Sequence, residues 1–284
     1  MVNAQICFLG GGNMTASILS GLVNDGIHPS AITVVDRHQE KLCYLQQSYK
    51  INISTDAAEA VQQADVIVLA VKPQAMDELT QSIKPVVQKK SGQLFISIAA
   101  GVPIKQFAYW LGERVAMVRA MPNTPALIGC GATALYANEQ VSRQQKEIAE
   151  QILRRTGTVI WLDNESLMDT VTAISGSGPA YFFLMMEYMI EAGMQHGLTE
   201  KQATLLTTQT AFGASKMALE STSKISQLRR NVTSKGGVTA AALKAFEDSG
   251  FKEAIDAAIS ANLARSSSLS KMFDKALAYQ EKMK

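Results

Sequence analysis

Cysteine and histidine are scarce, at three residues each in a chain of 284. Cys7, Cys43 and Cys130 are odd in number, widely spaced and without a C-x-x-C pair. That argues against a disulfide framework or a zinc site and suits a reducing cytoplasm. His28, His38 and His196 form no cluster with ligand spacing, so no metal is expected. No apolar run reaches membrane-spanning length, because the run near Phe182 is broken by Glu187. The start "MVNAQICFLGG" lacks a basic segment followed by a long apolar stretch, so no signal peptide is expected. Neither sign of charge dominates: 27 Lys and Arg face 25 Asp and Glu, a net charge of +2. Nothing there draws the chain to nucleic acid or to an anionic membrane. The expectation is a soluble cytoplasmic protein, 47% hydrophobic and long enough for two domains.

What is present begins with alternation. "QICFL" (5–9), "ITVV" (32–35), "VIVLAV" (66–71), "LFISI" (94–98), "VAMVRA" (115–120), "ATALY" (132–136) and "TVIWL" (158–162) read as strands. Several are apolar throughout, as parallel strands covered on both faces are. The stretches between them mostly have room for crossover helices, which predicts a Rossmann-like, doubly wound α/β domain over 1–163. Beyond Asp163 no such run recurs. Helices are expected over 165–174, 179–196, 200–219, 225–232, 239–247 and 251–277, with Gly197 as a stop and Thr199 as a cap. The second domain, 164–284, is therefore all-helical.

"FLGGGNMTASILSGL" follows the first strand and opens a helix. Gly10 permits the tight turn and Gly12 lets backbone approach a pyrophosphate at the helix start. The third small position of such a fingerprint falls on Thr15. The second strand ends in Asp36, placed for a ribose 2′-hydroxyl and so for NAD, and Arg37, placed for a 2′-phosphate and so for NADP. The two leave the choice of cofactor open. "AVKPQ" (70–74) puts Lys72 at a strand's carboxyl end, and "RAMPNTP" (119–125) offers Asn123 and Thr124 from a proline-stiffened loop. In the helical half, Gly236-Gly237 precede Thr239 and an alanine-rich helix. Free backbone N–H groups there form a nest suited to a carboxylate, with Ser234 and Thr239 adding hydroxyls. An ordinary glycine turn with Thr239 as N-cap is the alternative.

"AVKPQ", "RAMPNTP", "SGSGPAY" (175–181) and "VTSKGGVT" (232–239) occur in an order and spacing that resemble pyrroline-5-carboxylate reductases, over essentially the whole chain. The resemblance implies reduction of Δ1-pyrroline-5-carboxylate to L-proline, the last step of proline biosynthesis, with NADPH or, alternatively, NADH. It implies a homo-oligomer in which the helical domain interlocks with its twofold mate, as a dimer or a decamer. No nucleic-acid or membrane partner is implied. Carried onto this sequence, the cofactor site comprises Gly10, Gly12, Asn13, Met14, Asp36, Arg37, Ala70, Val71, Lys72, Pro73, Met121, Pro122 and Asn123. Ser234, Gly236, Gly237 and Val238 would hold the substrate carboxylate, and the catalytic candidate Thr239 would lie near the ring nitrogen. Ser175, Gly176 and Ser177 would reach the same site from the partner subunit. Pro179 then suits the first turn of a long helix capped by Ser177 or Gly178.

The chain departs from the family pattern at Lys235, where proline is usual, and at Val238, Thr15 and Ala57. Two other readings compete. A 3-hydroxyacid dehydrogenase would be expected to carry a lysine early in the second domain, and none occurs from Glu165 to Gln195. A non-catalytic dinucleotide-binding protein would keep the fold and lose turnover.

Overall fold

The computed structural model describes residues 4–282, with side chains as far as Leu269 and that of Lys271. The chain divides into two compact units. One runs up to Ser177 and resumes at Asn262; the other is Gly178–Ala261.

The first unit holds β1 (Ile6–Leu9), β2 (Ile32–Val35), β3 (Asn52–Ser54), β4 (Val66–Leu69), β5 (Leu94–Ser97), β6 (Ala116–Met121), β7 (Gly131–Ala137) and β8 (Gly157–Trp161). They form one sheet in the order β3-β2-β1-β4-β5-β6-β7-β8. Connecting helices are α1 (Asn13–Asn24), α2 (Gln39–Tyr49), α3 (Ala57–Gln63), α4 (Met76–Val87), α5 (Ile104–Leu111) and α6 (Arg143–Arg154), and α7 (Leu167–Val171) follows β8. Every residue of β1, β4 and β5 is buried, because helices cover both faces. Ile6 and Phe8 point to one core with Ile18, Leu19 and Leu22 of α1. Cys7 and Leu9 point to the other, with Met76 and Ile83 of α4 and Phe107 and Trp110 of α5. Each such side chain contributes about 1.5–3 kcal/mol by its burial. Burial also pushes the Cys7 thiol up to about 12, so it acts as a small hydrophobe.

Two features differ from the sequence expectation. β3 was absent from it, since Asn52-Ile53-Ser54 is short, partly polar and unlike a buried strand. Strands β1 to β6 are parallel, but β7 runs antiparallel to β6, and β8 follows β7. The segment between β6 and β7 holds only a 3₁₀ turn, Thr124–Ile128, and a parallel return needs a longer crossover.

The second unit consists of α8 (Gly178–Gln195), α9 (Glu200–Glu220), α10 (Ile225–Asn231), α11 (Val238–Asp248) and the first turns of α12 (Phe251–Lys282). Gly197 takes a left-handed φ of 97°, and Thr199 and Gln202 close a reciprocal capping box that starts α9. The expected cap at Ser177 or Gly178 does not form. Ser177 has helical angles, and the chain passes from α7 to α8 through a π-helical turn, Thr172–Gly176. Thr239 likewise lies inside the first turn of α11, with Gly237 as the N-cap.

Between Gly178 and Ala261 only Gly178, Ala203 and Thr207 are buried. Phe182, Phe183, Leu205, Leu206, Phe212 and Met217 are all more than half exposed. The helices of this unit thus carry the apolar side chains of a core without enclosing one. No helix among the described residues is long and apolar enough to cross a membrane.

Candidate functional site

Gly10, Asp36, the segment Ala70–Pro73 and Met121–Asn123 follow β1, β2, β4 and β6, so all stand at the carboxyl edge of the parallel strands. β1 lies where the strand order reverses, the place where open α/β sheets bind ligands. Gly10 has φ +113°, and a Cβ there would stand 2.7 Å from the Ala70 carbonyl oxygen. Thr15, fully buried, donates its hydroxyl to the Gly10 carbonyl at 2.6 Å. The residue at the third fingerprint position therefore locks the turn with a hydrogen bond rather than by small size.

Gly12 is the N-cap of α1, and no side chain caps that helix. A Cβ on Gly12 would meet nothing within 4 Å. First-turn N–H groups without helical partners thus face open space at the positive end of the helix dipole. This cradle fits the pyrophosphate of a dinucleotide. Asn13 is exposed and Met14 half-buried beside it.

Asp36 serves the loop itself. Its Oδ2 accepts the Gly11 N–H at 2.8 Å. Its Oδ1 accepts the His38 N–H at 2.9 Å and lies 2.7 Å from His38 Nδ1. Burial pushes the Asp36 carboxyl up, but the bonds from Gly11 and His38 and the charge of Lys41 together outweigh it, and the net direction is down. Arg37 and Lys72 are exposed. Lys72 precedes a short 3₁₀ turn, Pro73–Ala75.

Farther along the sheet edge the structure gathers Met121, Asn123, Ser175, Gly176 and Ser177. The Asn123 side chain donates to the Ser175 carbonyl at 3.0 Å and accepts the Ala132 N–H at 2.9 Å. A Cβ on Gly176 would stand 2.5 Å from Cε of Met121. Asn262, on α12, donates to Ser177 Oγ at 2.8 Å. Pro122 is buried.

Glu165, invisible as a functional residue in the sequence, ties this region to the sheet. Its Oε1 accepts the Ile104 N–H at 2.8 Å, capping α5, and pairs with Arg119 of β6 at 3.0 Å. Nothing in the local pattern marks Glu165, since both partners are more than 40 positions away.

The remaining candidates, Ser234 to Thr239, belong to the second unit. Gly236 takes φ +71°, and the Gly237 N–H bonds the Ser234 carbonyl at 3.1 Å. A Cβ on Gly237 would collide with the Ser234 hydroxyl. No side chain caps α11. Its first N–H groups, with Ser234 Oγ beside them, form an anion cradle of the same kind as that at α1. Val238 and Lys235 are exposed and Thr239 is half-buried.

The chain is similar to known proteins over nearly its full length. A family model for pyrroline-5-carboxylate reductase dimerisation matches residues 165–269. One for coenzyme F420-dependent NADP oxidoreductases matches residues 5–101. A pyrroline-5-carboxylate reductase of Pseudomonas aeruginosa is 46% identical over 269 residues, 95% of this chain and 98% of that protein. The solved pyrroline-5-carboxylate reductase of Coxiella burnetii superposes with a TM-score of 0.90 at 42% identity, covering 94% of this chain and 98% of its own. A Plasmodium falciparum pyrroline carboxylate reductase, solved with NADP bound, gives 0.84 at 31% identity, covering 95% and 99%. With identity of this degree over nearly the full length of both proteins, the chain belongs to the pyrroline-5-carboxylate reductase family.

Proposed function

We propose that the chain reduces 1-pyrroline-5-carboxylate to L-proline, with NADPH as the hydride source. The observation that carries this reading is the join between Met121–Asn123 and Ser175–Ser177. It sets a loop at the ligand-binding edge of the sheet directly against a turn built of serine and glycine backbone. When bound, the cofactor supplies a hydride for the imine carbon, while the ring nitrogen takes a proton from water or buffer.

Everything else is positioning. The uncapped start of α1 binds the pyrophosphate, and Asp36 keeps Gly11 in place for it. The start of α11 holds the substrate carboxylate with its N–H groups and Ser234, and Thr239 lies by the ring nitrogen. A cyclic imine is basic enough to be protonated before or during attack, so no histidine or lysine base is required. Orientation of this kind is worth about 7–11 kcal/mol when the reacting atoms are well aligned.

In this reading residues 1–163 bind the dinucleotide, and residues 164–284 bind substrate and dimerise. The unenclosed apolar side chains of the helical unit support a second copy of the chain as their cover. Cytoplasmic location and assembly of dimers into a decamer belong to the same reading and rest on the family resemblance. NADPH is favoured by the NADP bound in the Plasmodium falciparum relative. NADH is the alternative, favoured by Asp36 at the end of β2. The test is to supply the imine with each reduced nucleotide in parallel and to measure nucleotide oxidation and proline. Proline formed in step with oxidation is expected, faster with NADPH. Nucleotide binding without turnover would leave a dinucleotide-binding protein instead.

A further inference from the structure

The family pattern assigns Asn123 to the cofactor. We infer instead that Asn123 is a positioning residue, a strut that holds the π turn Thr172–Gly176 and so presents Ser175–Ser177 to the substrate. The inference rests on the proposed reductase reading and deepens it.

In an α-helix the Ser175 carbonyl would accept the N–H of residue 179. That residue is Pro179, which has none. The helix is also widened there, since the Ser177 N–H reaches back five residues to the Thr172 carbonyl at 2.8 Å. Asn123 supplies the missing donor from outside the helix, at 3.0 Å. Its other end is fixed to the sheet through the Ala132 N–H. Asn123 is 8% exposed, so little of it is open to a ligand. Met121, the last residue of β6 and two residues before Asn123, lies against Gly176. The Asn123 carboxamide therefore ties the loop at the sheet edge to the substrate turn, with the Met121 contact beside it.

The full-length protein carrying N123D or N123A tests this. N123D keeps an acceptor for Ala132 and loses the donor; N123A loses both. The readouts are NADPH affinity by fluorescence, L-proline binding by calorimetry, kcat and KM for the imine, and amide hydrogen exchange over residues 172–180. A misplaced turn should cost about 10²-fold in kcat/KM. L-Proline binding should weaken and exchange over 172–180 should quicken, with NADPH affinity unchanged. Adding P179A to N123A restores an N–H at position 179 and should recover part of the exchange protection and of kcat/KM. NADPH affinity falling while exchange over 172–180 stays slow would overturn the inference and return Asn123 to the cofactor. Absence of any recovery with P179A would overturn the explanation through the missing amide. If the parent protein does not turn over the imine, the reductase reading fails, and the exchange data still judge the strut.

Discussion

Gly10 and Gly12 stand two residues apart in one loop and are constrained in different ways. Gly10 is held by its own chain, through a left-handed φ and the Ala70 carbonyl pressed against it. Gly12 has no protein neighbour where its side chain would be. Gly10→Ala should therefore destabilise the fold, by about 1–3 kcal/mol for the backbone strain alone. Gly12→Ala should leave the melting temperature unchanged and weaken dinucleotide binding by about tenfold or more, equivalent to about 1.4 kcal/mol. Thermal melts and nucleotide titrations of the two variants separate the effects. Asp36 gives a pH signature. Its carboxyl is held below the ordinary value, so its contribution to stability is present above the unfolded carboxylate value, about 3.9. That contribution is lost as pH falls through the lower folded value. Asp36→Asn should melt below the parent protein at neutral pH, and the gap should close as the solution is acidified past about pH 4.

Among the elements, the Arg119–Glu165 pair makes the strongest single claim. It joins β6, the start of α5 and the approach to α7, with Arg119 buried and Glu165 a quarter exposed. Removing one member of a fully buried pair costs about 3–5 kcal/mol; the partial exposure lowers the expectation here to about 2–3 kcal/mol for Arg119→Ala. Denaturant unfolding measures it. This pair also shows what a sequence hides. The glycine loop was legible because its residues are consecutive and follow an apolar strand. The strut from Asn123 to Ser175 was not, because its acceptor is a main-chain carbonyl 52 positions away. Likewise "SGSGP" looks like a helix stop, yet the chain stays helical by widening one turn. The missing N–H of Pro179 was the available clue that some outside donor must serve this turn. β7 reversed direction because its connection is too short for a crossover helix, a property of loop length that the apolar pattern of the strand does not carry.

At the scale of the whole molecule, the two units have opposite characters. The first encloses two apolar cores around its sheet, and the second exposes its phenylalanines and leucines. Covering each large apolar side chain is worth about 1.5–3 kcal/mol, so a few of them exceed the usual stability margin of a small domain. Phe212→Glu should lower the oligomeric state and, with it, helix content, seen together by sedimentation and circular dichroism. Unchanged sedimentation would show that Phe212 lies outside the association surface. The central claim, direct reduction of a cyclic imine on this scaffold, is tested most directly by isotope transfer. NADPH deuterated at the transferable position is supplied with 1-pyrroline-5-carboxylate, and the proline is read by mass spectrometry and NMR. The account predicts one deuterium on the carbon next to nitrogen that was the imine carbon, and none when only the solvent is deuterated. Proline without deuterium from the labelled cofactor, or nucleotide consumption without proline, would contradict it.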